Sequence, residues 1–284
     1  MTTSTAPSPA VVAEPAFGLL LDVDGPIASP VSRTVAIASI AQDLADMANQ
    51  GIPVIFNTGR SDDFIAQQVV PPLREAGLRH GTPVFTISEK GAVWAEVTPE
   101  GLGEIHIDEE LRLPTALGDE VRDMVVERFS GHMFFDETKR AMISVEQRTD
   151  VDNDDYLAVQ PDFDAAIPLL LDKHDVDQVR IDPTIISTDV EHERLGKDLG
   201  AARALELLSA RGITPQSWFT MGDSRTDYAM ASWLHERGHQ VSHVDVRPAD
   251  GVPETAHPVL TSDTGAIHDD AGAEFLSRWA RSLG

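Results

Sequence analysis

Four short segments of this 284-residue chain carry side chains able to do chemistry: Asp22-Val23-Asp24, Asn57-Thr58-Gly59-Arg60, Lys197, and Gly222-Asp223-Ser224 with Asp227. Carboxylates crowded into one place repel each other and resist ionisation unless a hard cation neutralises them. Magnesium, held by a few carboxylates while water and a substrate phosphate fill its other positions, meets that need. Lys197, in LGKDLGAARAL, is able to place an ammonium beside the same acids.

The elements that must position these groups are legible in the apolar pattern. FGLLLDVDG (17–25) is a short continuous apolar run ending in acids and glycine, as a buried parallel strand does. A helix is predicted over 32–50, capped by Ser32 or Thr34 and closed by Gly51, before a second apolar run, IPVIFNTGR (52–60). Strand, helix and strand in this order form a βαβ unit, and ligands in such sheets bind beyond the carboxyl ends of the strands. Both polar tips fall there. A helix over 62–76, a strand over 83–88 and a hairpin arm over 91–97 continue the pattern. From about 105 to 190 the rhythm changes to helix 115–130, strands 132–136 and 140–147, helix 162–174, and strands 177–182 and 184–190. That repeated αββ order predicts an antiparallel sheet. After Lys197 the first rhythm returns, with a helix to 210, strand 217–224, a helix from Asp227, strand 241–246 and helix 271–282.

With those positions assigned, the sequence resembles the haloacid dehalogenase superfamily, in its cap-bearing, sugar-phosphatase-like (Cof-type) branch. DVDGP stands at the first family motif, NTGR at the second, Lys197 at the lysine motif and GDSRTD at the fourth. Any one of these is weak; four in order, each at a predicted strand end or helix start, are specific. The resemblance implies Asp22 as nucleophile and Asp24 as general acid and base, with Thr58, Gly59, Arg60 and Lys197 meeting the substrate phosphate. It implies magnesium bound by Asp22, the Asp24 backbone carbonyl and Asp223, with Asp227 orienting Lys197 or a metal-bound water. An alkoxide leaving from phosphate needs a proton and a halide does not, so the second acid, Asp24, favours phosphate chemistry. Three positions depart from the pattern: Pro26 replaces Thr, Thr226 replaces Asn, and Lys90 stands where relatives often carry Asn.

Asp22 and Thr58 lie 36 residues apart, enough for one helix and one strand, whereas 139 residues separate Thr58 from Lys197, far more than one βα step requires. The expected fold class is therefore α/β: a Rossmann-like parallel core from 17–89 and 193–284, with an α+β cap domain inserted at 90–192. Residues 1–16, rich in Ser, Thr, Pro and Ala, read as a disordered leader without a signal-peptide pattern. The acidic stretch DVDNDD (150–155) lacks the glycine and distal glutamate of a calcium loop and reads as a solvated loop. His235, His239 and His243 recur every four residues, but Gly238 breaks the helix that would align them, so they read as scattered surface histidines. Arg60 reads equally as substrate contact or helix cap. Lys139, Arg140, Arg148 and Arg180 read as a solvated face of the cap.

The chain carries 22 Lys+Arg against 47 Asp+Glu, a net charge of −25, and such a field repels nucleic acid. With no cysteine, disulfides, thiolate metal sites and cysteine nucleophiles are excluded. No apolar run approaches the roughly 18 residues of a membrane span, and a cytoplasmic location with no membrane partner is expected. The expected activity is magnesium-dependent hydrolysis of a small phosphorylated metabolite through an aspartyl phosphate. The alternatives are a phosphomutase of similar architecture and a non-catalytic binding protein.

Overall fold

The computed structural model describes residues 12–284. Residues 1–11 of the expected leader lie outside the described residues. The remainder of that segment is not loose: Ala13 O accepts from Thr214 N–H at 2.7 Å and Pro15 O from Gln216 N–H at 3.0 Å.

Down the chain, β1 (Gly18–Leu21) leads through a turn-rich stretch to α1 (Ala38–Asn49) and β2 (Val54–Asn57). Helix α1 starts later than its pattern predicts. Ser32 and Thr34 hydrogen-bond to each other at 2.8 Å instead of capping, and Arg33 between them adopts φ +56. Helix α2 (62–75) follows, with a wider π turn at Ile65–Val69, then β3 (Val84–Ser88), β4 (Val93–Thr98), the short β5 (Gly101–Leu102) and the two-residue β6 (His106–Ile107). The inserted segment contributes α3 (115–129), β7 (Met133–Phe135), β8 (Ile143–Gln147), α4 (Asn153–Lys173), β9 (Val179–Pro183) and β10 (Ser187–His192). Then come α5 (Lys197–Ala210), β11 (Trp218–Gly222), α6 (Tyr228–Glu236), β12 (Val241–Asp245), β13 (Val259–Leu260) and α7 (His268–Ser282).

Two compact units result, one running to His106 and resuming at Gly196, the other spanning Ile107–Leu195. The expected boundary at residue 90 therefore moves to 107. The physical reason is that β4 pairs antiparallel with β3, Ile87 opposite Trp94, and so extends the first unit's sheet.

In the first unit the sheet order is β13-β12-β11-β1-β2-β3-β4-β5, parallel from β13 to β3 and antiparallel at the β4-β5 edge. Strand β1 lies between β11 and β2, with Leu21 in register with both Met221 and Phe56. Alternation along β1 divides the core into two layers. Leu19 and Leu21 pack with Leu44, Met47, Phe275 and Leu276 of α1 and α7. Leu20 packs on the other face with Ala201, Ala204, Met230 and Leu234 of α5 and α6. Burial of β1 on both faces is why its sequence is an unbroken apolar run.

The inserted unit is an antiparallel sheet of order β7-β8-β10-β9 with its own core, in which Val121, Phe129, Val145, Tyr156, Phe163 and Val190 meet. Helix α4 begins nine residues before the expected start at 162. Asp152 caps it by accepting from Asp154 N–H at 3.0 Å, and Asp154 and Asp155 sit in its first turn, where the helix dipole favours negative charge. Much of the acidic stretch is thus a helix start rather than a loop. Pro161 and Pro168 lie inside the helix, whose buried residues Tyr156, Gln160, Phe163 and Ile167 recur every three to four positions.

Candidate active site

Asp22 is the first residue past β1, its N–H donating to Met221 O at 2.8 Å. Its Oδ1 accepts from Val23 N–H at 2.7 Å and faces Lys197 Nζ at 2.7 Å. Lys197 starts α5, and its ammonium also reaches Asp227 Oδ1 at 2.5 Å and donates to Asn57 O at 2.9 Å. Asn57 returns the contact by donating from Nδ2 to Lys197 O at 2.9 Å. Asp22, Asn57, Lys197 and Asp227 are all buried, so one ammonium stands among three oxygens with little water to compete. Gly200, one turn into α5, permits this closeness: a Cβ there would stand 2.0 Å from Asn57 Oδ1.

Asp227 is fixed a second time, in a reciprocal cap with Ser224, whose N–H and Oγ–H donate to Asp227 Oδ2 at 3.0 and 2.7 Å. Thr226, where relatives carry Asn, bonds the same Ser224 hydroxyl at 2.8 Å. Asp223, just past β11, is partly buried, and one oxygen each of Asp22, Asp223 and Asp227 lie within 4.8 Å of one another. Gly25 makes room for Asp223; it has φ +91, and a Cβ on it would lie 2.8 Å from the carboxylate.

The electrostatics follow from this crowding. Burial pushes the Asp22 carboxyl well above the usual carboxylate range, and the Asp227 charge adds to it, outweighing Lys197. Burial also works against charge on Asp227, yet Lys197 and the Ser224 donors hold it below its ordinary value. For Lys197 burial is overcome by Asp22 and Asp227, which raise its pKa. Asp223 is raised by burial and by Asp227, with Arg247 and His268 opposing. Three carboxylates against the Lys197 ammonium and the more distant Arg247 still leave a local excess of negative charge and an all-oxygen donor set, which suits a hard divalent ion such as magnesium.

Asp24 is placed differently from the other acids. Both its oxygens are taken by Arg60, Nε at 2.8 Å and Nη2 at 2.9 Å, in a bidentate pair. Arg60 is therefore not a helix cap; Ser61 caps α2, accepting from Phe64 N–H at 3.3 Å. The Arg60 guanidinium also lies 4.9 Å from the Phe64 ring centroid. Thr58 is buried just past β2; its Oγ1 accepts from Arg60 N–H at 3.1 Å, which leaves the hydroxyl proton to donate. Gly59 lies under the Lys90 side chain, whose Cε would be 3.6 Å from a Cβ there, and Lys90 itself has φ +54.

Several residues escaped the sequence reading. The sequence gives Asn57 a place in a polar strand tip but no role, and in the structure it clasps Lys197. Arg247, just past β12, and His268, at the start of α7, stand 3.7 and 3.9 Å from Asp223 Oδ2. The strand-end rule applied to VSHVDVR would have reached Arg247; nothing in the local pattern marks His268. The histidines are not all on the surface: His243 is fully buried, with Nδ1 2.7 Å from Thr220 Oγ1, and His257 is buried nearby. In the inserted unit, Arg180 is not merely solvated but pairs with the buried Glu191 and donates to Leu195 O at 2.6 Å. Arg148 pairs with Asp150, while Lys139 and Arg140 line a cavity of about 200 Å³ with Arg112 and Arg122. No helix among the described residues is long and apolar enough to cross a membrane.

No protein-family model matches the chain, and no curated protein does. Solved structures match over nearly its whole length. The trehalose-6-phosphate phosphatase C-terminal domain of C. albicans is 15% identical, with a TM-score of 0.68 over 98% of this chain and 100% of that one. A haloacid dehalogenase-like hydrolase from Bacteroides thetaiotaomicron is 13% identical, with a TM-score of 0.60 over 94% and 100%. The sucrose-phosphatase of Synechocystis, solved with sucrose and phosphate, is 15% identical, with a TM-score of 0.51 over 93% and 98%. At such identities the likeness is one of fold, and the chain has the fold of the haloacid dehalogenase-like phosphatases, a Rossmann-like core interrupted by an antiparallel α+β unit.

Proposed function

We propose that this protein is a magnesium-dependent phosphatase of a small phosphorylated metabolite, with sugar phosphates the leading class. The observation that carries the reading is the buried cluster at the ends of β1 and β11, in which Asp22, Asp223 and Asp227 converge and Lys197 bridges Asp22 to Asp227. The structural likeness to a trehalose-6-phosphate phosphatase and a sucrose-phosphatase supports the sugar-phosphate class.

Asp22, the Asp24 carbonyl and Asp223 would hold the magnesium, with Asp227 beside them. When bound, the ion would neutralise the carboxylates and the phosphate oxygens. Asp22 is held by Val23 N–H and Lys197 through Oδ1, leaving Oδ2 to attack phosphorus. The P–O bond to the sugar breaks as the P–O bond to Asp22 forms, and the departing alkoxide takes a proton from Asp24. In the second displacement Asp24 takes a proton from water as that water attacks phosphorus, releasing phosphate and restoring Asp22. The Thr58 hydroxyl would donate to a phosphoryl oxygen in both steps, and the Lys197 ammonium, held among Asp22, Asp227 and Asn57 O, would balance the charge. Because Arg60 occupies both Asp24 oxygens, each proton transfer requires that pairing to loosen.

The test is phosphate release from a panel of sugar phosphates with magnesium, wild type against Asp22→Asn. Release by wild type alone supports the reading. Equal release by the variant, or full activity after chelation, removes it. A mutase is distinguished by its need for an activating bisphosphate and the absence of net phosphate release.

A further inference from the structure

Asp223 has neighbours that the catalytic scheme does not use. Arg247 Nη1 stands 3.7 Å from Asp223 Oδ2 and His268 Nδ1 stands 3.9 Å from the same atom, too long for hydrogen bonds, but the always-charged guanidinium is close enough to attract the carboxylate. Arg247 Nε and His268 Nδ1 are buried without a hydrogen-bond partner among the described residues. Such orphaned donors are uncommon and ask for a reason.

Both residues are also firmly placed. Arg247 N–H donates to Asp245 Oδ1 at 2.8 Å, and its Nη2 pairs with Asp250 at 2.8 Å. His268 N–H donates to Val246 O at 2.8 Å, and its backbone is left-handed at φ +51, strain that a non-glycine residue keeps only where its surroundings impose it. The guanidinium thus has one close carboxylate, Asp250, and one more distant, Asp223.

We propose that Arg247 is a positioning residue for the metal site: it is the counter-ion of Asp223 while the site lacks its cation, and it yields that carboxylate to magnesium while staying anchored on Asp250. His268 completes the same flank. The inference rests on Asp223 being a metal ligand. A cation that must be displaced weakens metal binding, so Arg247 sets the affinity below what the three carboxylates alone would give.

The experiment is calorimetric titration of Mn²⁺ into chelator-stripped protein at low ionic strength, with circular dichroism to verify folding. Arg247→Gln should bind Mn²⁺ about tenfold more tightly than wild type, at the low end of what removing a unit positive charge roughly 4 Å from a ligand carboxylate gives near a protein surface, and raising the salt should shrink the gain. Arg247→Lys, which keeps the positive charge, should stay within about threefold of wild type on the same electrostatic grounds. An unchanged or weakened affinity in Arg247→Gln overturns the proposal. Should that variant not fold, Arg247→Met, which keeps the aliphatic stem, is read the same way. If wild-type protein binds no Mn²⁺, the metal reading of Asp223 fails; if it binds and the variant is unaffected, only the role of Arg247 fails.

Discussion

Replacing Lys197 by Met keeps most of the side-chain volume and removes the ammonium, which makes it a direct measure of what the buried cluster contributes to the fold. Three contacts disappear: the ion pairs with Asp22 Oδ1 at 2.7 Å and Asp227 Oδ1 at 2.5 Å, and the hydrogen bond to Asn57 O at 2.9 Å. Charge-assisted bonds contribute roughly 1.5–3 kcal/mol each and a bond to a carbonyl about 1. Two carboxylates are left in a site from which water is largely excluded, and breaking a buried ion pair from one side costs about 3–5 kcal/mol. The expected loss is therefore about 4 kcal/mol, a large share of the roughly 5–15 kcal/mol that holds a typical domain folded. Urea unfolding followed by tryptophan fluorescence, near neutral pH with chelator present, reads this as a lowered midpoint with an unchanged slope. Lys173 supplies the control: its Nζ also approaches a carboxylate, Glu120, at 2.5 Å, but its side chain is 62% exposed against 9% for Lys197. Lys173→Met should leave the midpoint essentially where it was, because an exposed pair is screened and mobile. Were both variants to lose the same small amount, burial would not be what gives the Lys197 bonds their weight, and the reasoning would be refuted.

Asp24→Asn should separate the two displacements: with a nitrophenyl phosphate, whose leaving group needs no proton, a burst of nitrophenolate followed by slow turnover is expected, and with a sugar phosphate neither phase. Steady turnover of both substrates at wild-type rates would remove Asp24 as acid and base. Gly25→Ala should lose about 1–2 kcal/mol of stability from the left-handed backbone alone and bind Mn²⁺ at least about tenfold more weakly, since the new methyl would sit 2.8 Å from the Asp223 carboxylate; unchanged affinity by calorimetry would show that the contact relaxes elsewhere. His243, whose pKa burial lowers to about 4 from 6.5, stays neutral in the folded chain while its unfolded counterpart gains a proton. Its contribution is thus complete above pH 6.5, lost as pH falls toward 4, and about 2 kcal/mol smaller at pH 5 than at pH 7. Urea midpoints at the two pH values should show that extra loss in wild type and not in His243→Asn, and equal losses in both would place the titration elsewhere.

The parts of this molecule that the sequence discloses are those governed by local patterning. Leu19-Leu20-Leu21 announces a strand buried on both faces, and the acid after it must lie at the strand's carboxyl end, so Asp22, Thr58 and Asp223 could be placed at one sheet edge. What escaped depends on chain segments meeting from afar. That Arg60 holds Asp24 follows from the closeness of β1 and β2, not from either motif. That Arg247 and His268 flank Asp223 requires the turn after β12 and the start of α7 to converge, which no periodicity records. The sequence pattern starts helix α4 too late because helix propensity gives little weight to Asn153-Asp154-Asp155 and penalises Pro161, whereas burial of Tyr156 and Gln160 on the face shared with Phe163 and Ile167 outweighs both. The sequence pattern places the boundary of the inserted unit too early because β4 is an antiparallel edge added to a parallel sheet, and that reversal of strand direction resembles the start of a new antiparallel domain.

The position of β1 in the middle of its sheet has a consequence for how the chain is made. Its partner on one side, β2, follows within about forty residues, but its partner on the other, β11, begins only at Trp218. On a ribosome adding about 5–20 residues per second, the β11-facing edge of β1 waits unpaired for roughly ten seconds or more, apolar and open to the strand of another nascent chain. During that interval all of residues 107–195 emerges, a segment with its own sheet and core. Its collapse draws the two sides of the interrupted core closer than an unfolded insert of the same length would, lowering the entropy lost when Lys197 reaches Asn57. The insert thus lengthens the time that β1 waits for β11, while its compactness shortens the gap that remains to be closed once β11 has been made.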